Sequence, residues 1–599
     1  MAIMSHTIPS RALLSGNEAI ARGAWEAGVT VATGYPGTPS TEILESARAY
    51  ADDIYCEWSP NEKVALEVAA GACLSGARTI VTMKHVGLNV AADPLMTLAY
   101  IGTVGGLAIC VADDPGMHSS QNEQDTRHYA RFSKVPILEP SDSQEAKDFV
   151  KLALEISETY TTPVLLRSTT RVSHSSGAVT LGERTPTAPL QGFQKNPQRF
   201  VPIPLYGRPM RARLEERLAA LAAAANTSPA NRIEWGDRSL GIIAEGIAYQ
   251  YVRELAPEAS VLKIGWVWPF PDELIREFAA GVRRLLIVEE LDPILEEHVR
   301  SLGIACEGRS LVPGIGELSS DRLAAALGKS APPSSFKIDA DLPARPPVLC
   351  PACPHRGIFS ALGKFDVVVT GDIGCYSLGV FPPLKRIDTI LCMGGGISMA
   401  HGMQKADEKS GDTSRTLPKV VGIVGDSTFF HSGITGLLDI AYNKGAATII
   451  VVDNRITAMT GHQDHPGTGR TLMGEDTISA TVEDFGRACG IKNIATVDPY
   501  DLKESIETIG KALGSDEAWL IVARSPCPLH TKKSVGPARQ VDQELCKKCK
   551  ACLRLGCPAI EWVNDEIRVN ELLCGGCTLC EQVCKEGAIA IAAAGACHE

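Results

Sequence analysis

The sequence predicts an α/β protein: three doubly wound parallel-sheet domains, then a small C-terminal α+β domain built around metal-binding cysteines. Three observations predict it. Short β-rich apolar runs alternate with helical stretches over most of the 599 residues. A Pro-rich break at 328–348, "GKSAPPSSFKIDADLPARPPV", parts the second block from the third. Eight of the 19 cysteines recur at ligand spacing between 546 and 584.

Bulk composition narrows the function classes. Hydrophobic content of 45% with 21% charged residues fits a globular protein with sizeable cores. A net charge of −12 argues against a nucleic-acid partner. No apolar run approaches the ~18 residues of a membrane helix, and the amino terminus shows no signal peptide. A cytoplasmic location is expected, where reduced thiols serve as metal ligands rather than disulfides.

The first block, 1–175, carries strands in "GVTVATGYPG", "ARTIVTMKHVG", "GGLAICVADD" and "TPVLLRST". Residues 176–237 read as a connecting segment with one helical run, "RARLEERLAALAAAAN". The second block, 238–330, places strands at "SLGIIAEG", "SVLKIGWVWPF" and "RLLIVEELD". The third, 345–530, places them at "DVVVTGDIG", "KVVGIVGDS", "ATIIVVDN" and "AWLIVARS". A basic stretch, "LHTKKSVGPARQ", tethers the cysteine-rich domain at 538–599 and reads as a solvated linker.

In that last domain Cys546, Cys549, Cys552 and Cys557 form one run, and Cys574, Cys577, Cys580 and Cys584 the other. In two-cluster ferredoxins the fourth cysteine of each run ligates the other cluster. Cys546, Cys549, Cys552 and Cys584 are therefore assigned to one [4Fe–4S] cluster, and Cys557, Cys574, Cys577 and Cys580 to the second. Two features depart from the usual pattern: four residues, "LRLG", precede Cys557 where three are common, and Lys585 stands where a proline often follows. The competing reading is a pair of zinc sites, since C-x2-C pairs also bind zinc.

In the third block, "VVGIVGDSTFFHSG" is a strand ending at Gly425-Asp426-Ser427, and "IIVVDNRITAMTG" one ending at Asp453-Asn454. Ligands of open α/β sheets bind at the carboxyl ends of the strands, and Mg²⁺ takes a few protein oxygens plus phosphate and water. The spacing resembles the thiamine diphosphate motif, GDG followed some 25–30 residues later by NN. The resemblance makes the side chains of Asp426 and Asn454 Mg²⁺ ligands, with the Ile456 carbonyl a third, and it departs from the motif at Ser427 and Asp453. Gly394, Gly395 and Gly396 lie between a strand and a helix, a suitable seat for a diphosphate; a tight packing turn is the alternative. Cys350, Cys353 and His355 in "CPACPHRG", and Asp372, Gly374 and Cys375 in "GDIGCYSLG", read as a redox pair, half a zinc site, a thiol-lined cofactor pocket or structure alone. His431 is a candidate substrate contact, with a structural role equally open.

Thiamine diphosphate reacts through its C2 carbanion, and forming it needs a carboxylic acid hydrogen-bonded to the pyrimidine N1′. Glu62 opens an apolar helix just after a strand and is the candidate; Glu57 and Glu67 compete, and a dipole-favoured helix-start acid is the bland alternative.

These stretches, with "GYPGTPSTE", "SPNEKVALEVAAGA" and "DNRITAMTGHQDHPGTG", follow one another in family order over nearly all the chain. The chain resembles the 2-oxoacid:ferredoxin oxidoreductase superfamily, and within it the large subunits of indolepyruvate:ferredoxin oxidoreductases. The resemblance implies a pyrimidine-binding domain, a transketolase-C-terminal-like domain, a diphosphate-binding domain and a ferredoxin-type domain, in that order. It implies that Thr38, beside Gly37, lies near the thiazolium and substrate, and that Glu62 is the N1′ partner. A basic residue of the first domain should hold the substrate carboxylate, for which Arg127 is the candidate. The implied reaction is oxidative decarboxylation of an arylpyruvate to aryl-acetyl-CoA, with coenzyme A as co-substrate and electrons leaving through the two clusters to external ferredoxin. The implied assembly pairs two of these chains with two copies of a smaller subunit. Rival readings are another 2-oxoacid of branched-chain or phenylglyoxylate type, non-oxidative decarboxylation to an aldehyde, and an electron-relay subunit with a degenerate cofactor pocket.

Overall fold

The computed structural model describes residues 10–187, 190, 192–330, 347–410 and 418–591. It comprises two compact units, Met1–Asp339 and Ala340–Glu599. Most of the Pro-rich stretch read as a linker lies outside the described residues, as do the last eight residues of the tail.

In the first unit, seven strands form a sheet in the order Trp266–Trp268, Ile137–Leu138, Val164–Thr169, Leu107–Asp113, Thr79–Lys84, Val31–Gly34, Tyr55–Trp58. All neighbours are parallel except the first pair. Thr79–Lys84, Leu107–Asp113 and Val164–Thr169 are buried at every position. That is why they read as continuous apolar runs: a parallel strand in mid-sheet is covered on both faces. Helix Glu62–Leu74 packs on Val31–Gly34 and Thr79–Lys84. Helix Gly16–Glu26 starts on a capping box in which Ser15 and Glu18 satisfy each other's backbone donors. It lies against Ser143–Tyr160 so closely that a Cβ on Gly23 would strike the Lys147 carbonyl.

A second, four-stranded sheet runs Leu285–Val288, Asp237–Glu245, Ala259–Ile264, Arg232–Glu234. Here the structure departs from the sequence reading twice. The single strand read over "SVLKIGWVWPF" is two: Ala259–Ile264 joins this sheet, and Trp266–Trp268 crosses to the edge of the larger one. The break is at Gly265, where the Asn231 side-chain oxygen accepts the backbone N–H of both Gly265 and Trp266, each at 2.8 Å. The segment read as a connector also contributes structure. Ser176–Thr180 pairs with Arg11–Ser15 and Arg232–Glu234 is an antiparallel edge strand, while the helical run read there falls in helix Pro204–Ala225 as expected.

The two sheets of this unit share one core. Leu66, Val81, Ile109 and Leu165 belong to the same buried cluster as Ile243, Leu262, Phe278 and Ile287. Each such side chain contributes about 1.5–3 kcal/mol by its burial, so the second sheet is held by the first rather than standing alone.

In the second unit a six-stranded sheet, parallel throughout, runs Thr389–Ile390, Val367–Gly371, Lys419–Gly425, Thr448–Asp453, Trp519–Arg524, Asn493–Val497. The tail adds an antiparallel hairpin, Ile560–Val563 with Glu566–Val569, and a second antiparallel pair, Arg539–Val541 with Ile589–Ile591. Its small core of Leu555, Ile560, Ile567, Leu579 and Ile589 includes Tyr500 and Leu502 of the sheet portion. Among the described residues, no helix is long and apolar enough to cross a membrane.

Candidate functional site

At the carboxyl edge of the six-stranded sheet, the adjacent strands Lys419–Gly425 and Thr448–Asp453 deliver Asp426, Asp453 and Asn454 side by side. All three are buried. Asp426 Oδ1 accepts the Ser427 N–H at 2.9 Å, and its Oδ2 lies 3.1 Å from His465 Nε2. Asp453 lies close enough to Asp426 for the two carboxyl groups to shift each other's titration. Burial first, and the charge of Asp426 second, push the Asp453 carboxyl up to about 6 even though Arg524 Nε donates to it at 2.7 Å. Two carboxylates in contact with so little water demand compensating positive charge. Asn454 Oδ1 accepts the Ile456 N–H at 3.2 Å, which folds the backbone of Ile456 beside the pair. Thr457 Oγ1 donates to Ser427 Oγ at 2.9 Å.

The glycine turn sits on the neighbouring strand end. Gly394 has φ +82°, and a Cβ there would lie 2.8 Å from the Gly433 nitrogen, so both its conformation and the space require glycine. Gly395 and Gly396 open helix Gly395–Ser410. Asp372, completely buried, accepts the Gly394 N–H through Oδ2 at 2.5 Å, while its Oδ1 has no hydrogen-bond partner among the described residues. Burial holds its carboxyl well above the ordinary range. Gly374 and Gly425 both press on the Tyr376 ring, which gives each of them a packing role.

His355, at the start of helix His355–Leu362, is buried, and desolvation brings it down to about 4, so it is a neutral imidazole near Asp426. His431 lies buried in the turn Phe429–Gly433 with Nδ1 2.7 Å from Ser432 Oγ. Beside burial, Cys350 and Cys375 help to raise the Cys353 thiol, Cys350 and Cys527 that of Cys375, and Cys527 that of Cys350. Burial is the larger cause, taking Cys353 to about 12 and Cys375 to about 11. All four thiols are free.

In the first unit the carboxyl edge of the larger sheet gathers a second set of residues. After Val31–Gly34 the chain turns so that the Gly37 N–H donates to Thr41 Oγ1 at 2.9 Å, and the Thr38 carbonyl accepts from Ser119 Oγ at 3.1 Å. Glu62 is the first residue of helix Glu62–Leu74, which Asn61 caps, and is 4% exposed. Its carboxyl group fills the space beside Gly87, where a Cβ would lie 2.5 Å from Oε1. Lys84, at the end of the intervening strand, is 6% exposed; its Nζ donates to Ser119 O at 2.8 Å and lies 3.9 Å from Asp114. Burial brings its ammonium down to about 8, against the opposing pull of Asp114.

One candidate is corrected. Arg127, read as a cation for the substrate carboxylate, is 1% exposed and bound on all sides. Its guanidinium pairs with Asp125 at 2.5 Å, with Glu289 at 2.6 Å and with Glu245, and donates to the Glu290 and Asp292 carbonyls at 2.8 Å. A guanidinium so engaged has no donor to offer a substrate, and removing it would strand buried carboxylates at a cost of about 3–5 kcal/mol.

The tail brings its eight cysteines together in two sets. Cys546, Cys549, Cys552 and Cys584 wall one small void, and Cys557, Cys574, Cys577 and Cys580 wall another. Among the described residues, no three His, Cys, Asp or Glu side chains converge on one point as a lone metal ion requires.

Sequence reasoning did not single out His465, Cys527 or Lys84. His465 reaches Asp426 from 39 positions away, and no periodicity marks such a contact. Lys84 ends an apolar strand, and that position is the signal that was available.

Comparison with known proteins agrees with this geometry. Residues 22–214 match the family described as pyruvate flavodoxin/ferredoxin oxidoreductase, thiamine diphosphate-binding. Residues 372–523 match the thiamine pyrophosphate enzyme, C-terminal TPP-binding domain. The chain is 44% identical over 626 residues to the indolepyruvate oxidoreductase subunit IorA of Pyrococcus horikoshii, covering 96% of each. It is 44% identical to that of Methanothermobacter marburgensis (97% of each) and 38% identical to that of Archaeoglobus fulgidus (97% of each). The chain therefore belongs to the indolepyruvate oxidoreductase IorA family, a thiamine diphosphate-dependent family, and is an enzyme of the oxoacid:ferredoxin oxidoreductase type.

Proposed function

We propose that the chain oxidatively decarboxylates arylpyruvates, indolepyruvate among them, to aryl-acetyl-CoA, and passes the electrons through two [4Fe–4S] clusters to an external ferredoxin. The observation that carries this reading is the sorting of the eight tail cysteines into two sets of four around separate voids, on a chain of a thiamine-dependent oxidoreductase family. Four thiolates around a space suit a cubane, which spreads its ligands over four irons; zinc would draw four sulfurs to about 2.3 Å from one point. The overall change balances as R–CO–COO⁻ + HS-CoA → R–CO–S-CoA + CO₂ + H⁺ + two electrons. A single-electron carrier must take those electrons one at a time.

Thiamine diphosphate held by the site residues would supply the carbanion chemistry that decarboxylation of a 2-oxoacid needs. In the second unit, Asp426 and Asn454 would hold Mg²⁺ by side chain and Ile456 by its carbonyl. The contact between Asp426 and Asp453 supports this, because a divalent cation relieves the repulsion of two buried carboxylates. Gly394, Gly395 and Gly396 would seat the diphosphate on backbone N–H groups at a helix start; the left-handed Gly394 and the Asp372 side chain that pins it support that role. Cys350, Cys353 and Cys375 would line the pocket, with Gly425 and Ser427 at its metal end and His431 toward the substrate.

In the first unit, Glu62 would serve the pyrimidine N1′ and Thr38, beside Gly37, the reacting centre. Among the three acids, Glu67 is exposed and pairs with Lys63, and Glu57 bonds to Tyr55 and Ser59, whereas Glu62 is buried at a helix start. The cation for the substrate carboxylate is then Lys84, through Ser119 the neighbour of Thr38. The four segments 1–175, 238–330, 345–530 and 538–599 would be the pyrimidine-binding, transketolase-C-like, diphosphate-binding and ferredoxin-type domains. A smaller second subunit, two copies with two of this chain, completes the proposed cytoplasmic enzyme, and coenzyme A is the acyl acceptor.

One experiment tests substrate and cation together. Holoenzyme assayed with coenzyme A and a viologen should turn over indolepyruvate with a kcat/KM at least about tenfold above that for 2-oxoisovalerate, as about 1.4 kcal/mol of extra aryl burial gives. The reverse order would transfer the enzyme to branched-chain acids, and aldehyde as main product would make it a plain decarboxylase. Lys84→Met should raise KM for either acid by about 10²-fold, as loss of one charged contact does, with kcat less affected. The wild-type KM should also climb as pH passes the Lys84 pKa near 8, since only the ammonium attracts a carboxylate; the groups facing that ammonium, Asp114 and His85, stay as they are in that range. Lys84→Met should abolish that climb.

A further inference from the structure

The second unit carries a cleft of about 1030 Å³ between its sheet portion and its tail. Five cations line it: Lys364, Arg386, Lys503, Arg554 and Lys585, against two acids, Glu507 and Glu586. No ion pair within 4 Å engages any of the five among the described residues, and all but Arg386 are exposed. On a chain of net charge −12, this is a local reversal of sign. Beyond a Debye length of about 8 Å at physiological salt the remaining negative charge is screened, so an approaching molecule meets the cleft as a basic surface.

The cleft is also an end point of the cysteine sets. Cys549, exposed, lies on its wall together with the segment that bears Cys584. The other set faces the cofactor half. A Cβ on Gly575 would lie 2.7 Å from the Ala352 Cβ, and Arg356 Nη1 donates to the Leu555 carbonyl at 2.6 Å while its Nη2 donates to Cys350 O at 3.0 Å. Burial raises the Cys577 thiol, and Arg356 is close enough to oppose that rise. The spatial order from the Cys350–Cys353 loop outward is therefore Cys557/574/577/580 first and Cys546/549/552/584 second, the reverse of their order along most of the sequence.

We propose that this basic cleft is the docking surface of an acidic single-electron carrier protein, which receives electrons from the cluster on Cys546, Cys549, Cys552 and Cys584. The proposal rests on the iron–sulfur reading of the tail. Each transfer is one electron from a reduced cluster to an oxidised carrier, with no bond made or broken. Charge complementarity chooses the partner class: an acidic protein is steered to this basic cleft, which has an exposed cysteine of the proposed cluster on its wall, and such steering acts on association rate and salt dependence.

The test uses the holoenzyme with both subunits, and the probe is a fluorescently labelled two-[4Fe–4S] ferredoxin of net negative charge. Lys364→Glu/Lys503→Glu, two exposed positions away from the cysteines, should weaken binding by at least about tenfold at low ionic strength and flatten its salt dependence. The same variant should keep wild-type cluster absorbance and wild-type rates with a viologen, which needs no docking. Unchanged ferredoxin affinity and salt slope in that variant would overturn the proposal. So would a raised KM for coenzyme A with ferredoxin binding intact, which would give the cleft to an anionic nucleotide. Failure of the underlying reading shows separately, as wild-type holoenzyme without cluster absorbance, and that result removes the docking proposal with it.

Discussion

Glu62→Gln lowers kcat by about 10²–10⁴-fold, the range ascribed to a positioned acid–base group, while the protein still binds thiamine diphosphate. The argument is one of isosteric replacement. Glutamine fills the same space beside Gly87 and leaves the Asn61 cap intact, with its side-chain oxygen on the Val64 N–H at 3.0 Å, so helix Glu62–Leu74 survives. What would disappear is the carboxyl group proposed to exchange a proton with the pyrimidine N1′. Steady-state turnover beside thiamine extracted per chain measures the split. Glu67→Gln, at a side chain 46% exposed and paired with Lys63, provides the control and should leave kcat within about twofold. Equal losses in both variants would move the role away from Glu62.

Asp426→Ala acts on the other half of the cofactor and should lose it altogether. Partners that merely orient a metal ligand cost 10–100-fold in affinity when removed, so loss of a proposed ligand should exceed about 100-fold for both Mg²⁺ and thiamine diphosphate. His465→Gln should fall in that 10–100-fold range, because His465 holds Asp426 Oδ2 at 3.1 Å without being a ligand itself. Equilibrium dialysis against Mg²⁺ and thiamine diphosphate reads both variants. Asp426→Asn keeps the volume and the contact with the Ser427 N–H, so it separates lost coordination from lost folding. Wild-type affinity in Asp426→Asn would place the metal elsewhere.

Much of this architecture was legible because burial writes itself into local sequence. Thr79–Lys84, Leu107–Asp113 and Thr448–Asp453 are apolar without alternation because mid-sheet strands of a parallel sheet never meet water. The cysteine runs stand out because ligand spacing is local, and the two sets of four that line separate voids are drawn from both runs. Long-range compensation was not legible. Nothing around Arg127 announces that Glu245 and Glu289, more than a hundred positions away, close on its guanidinium. The strand over "SVLKIGWVWPF" looked continuous because its apolar residues are continuous; it breaks because Asn231, a distant side chain, captures two backbone N–H groups at Gly265. Cys527 and His465 were passed over for the same reason, since single residues after strands become part of a site only once the sheet edge collects them. Lys84 is the instructive miss: a lysine at the end of a buried strand, next to the YPGTPS turn, is costly to bury and therefore suspect.

The measurement that bears most directly on the central claim is a cofactor inventory of anaerobically purified holoenzyme: thiamine, magnesium, iron and acid-labile sulfide per chain. The account predicts about one thiamine diphosphate and one Mg²⁺, with iron and sulfide in equal amounts and sufficient for two [4Fe–4S] clusters. Protein that carries zinc in place of iron and sulfide, or that folds and assembles with no thiamine, would contradict it.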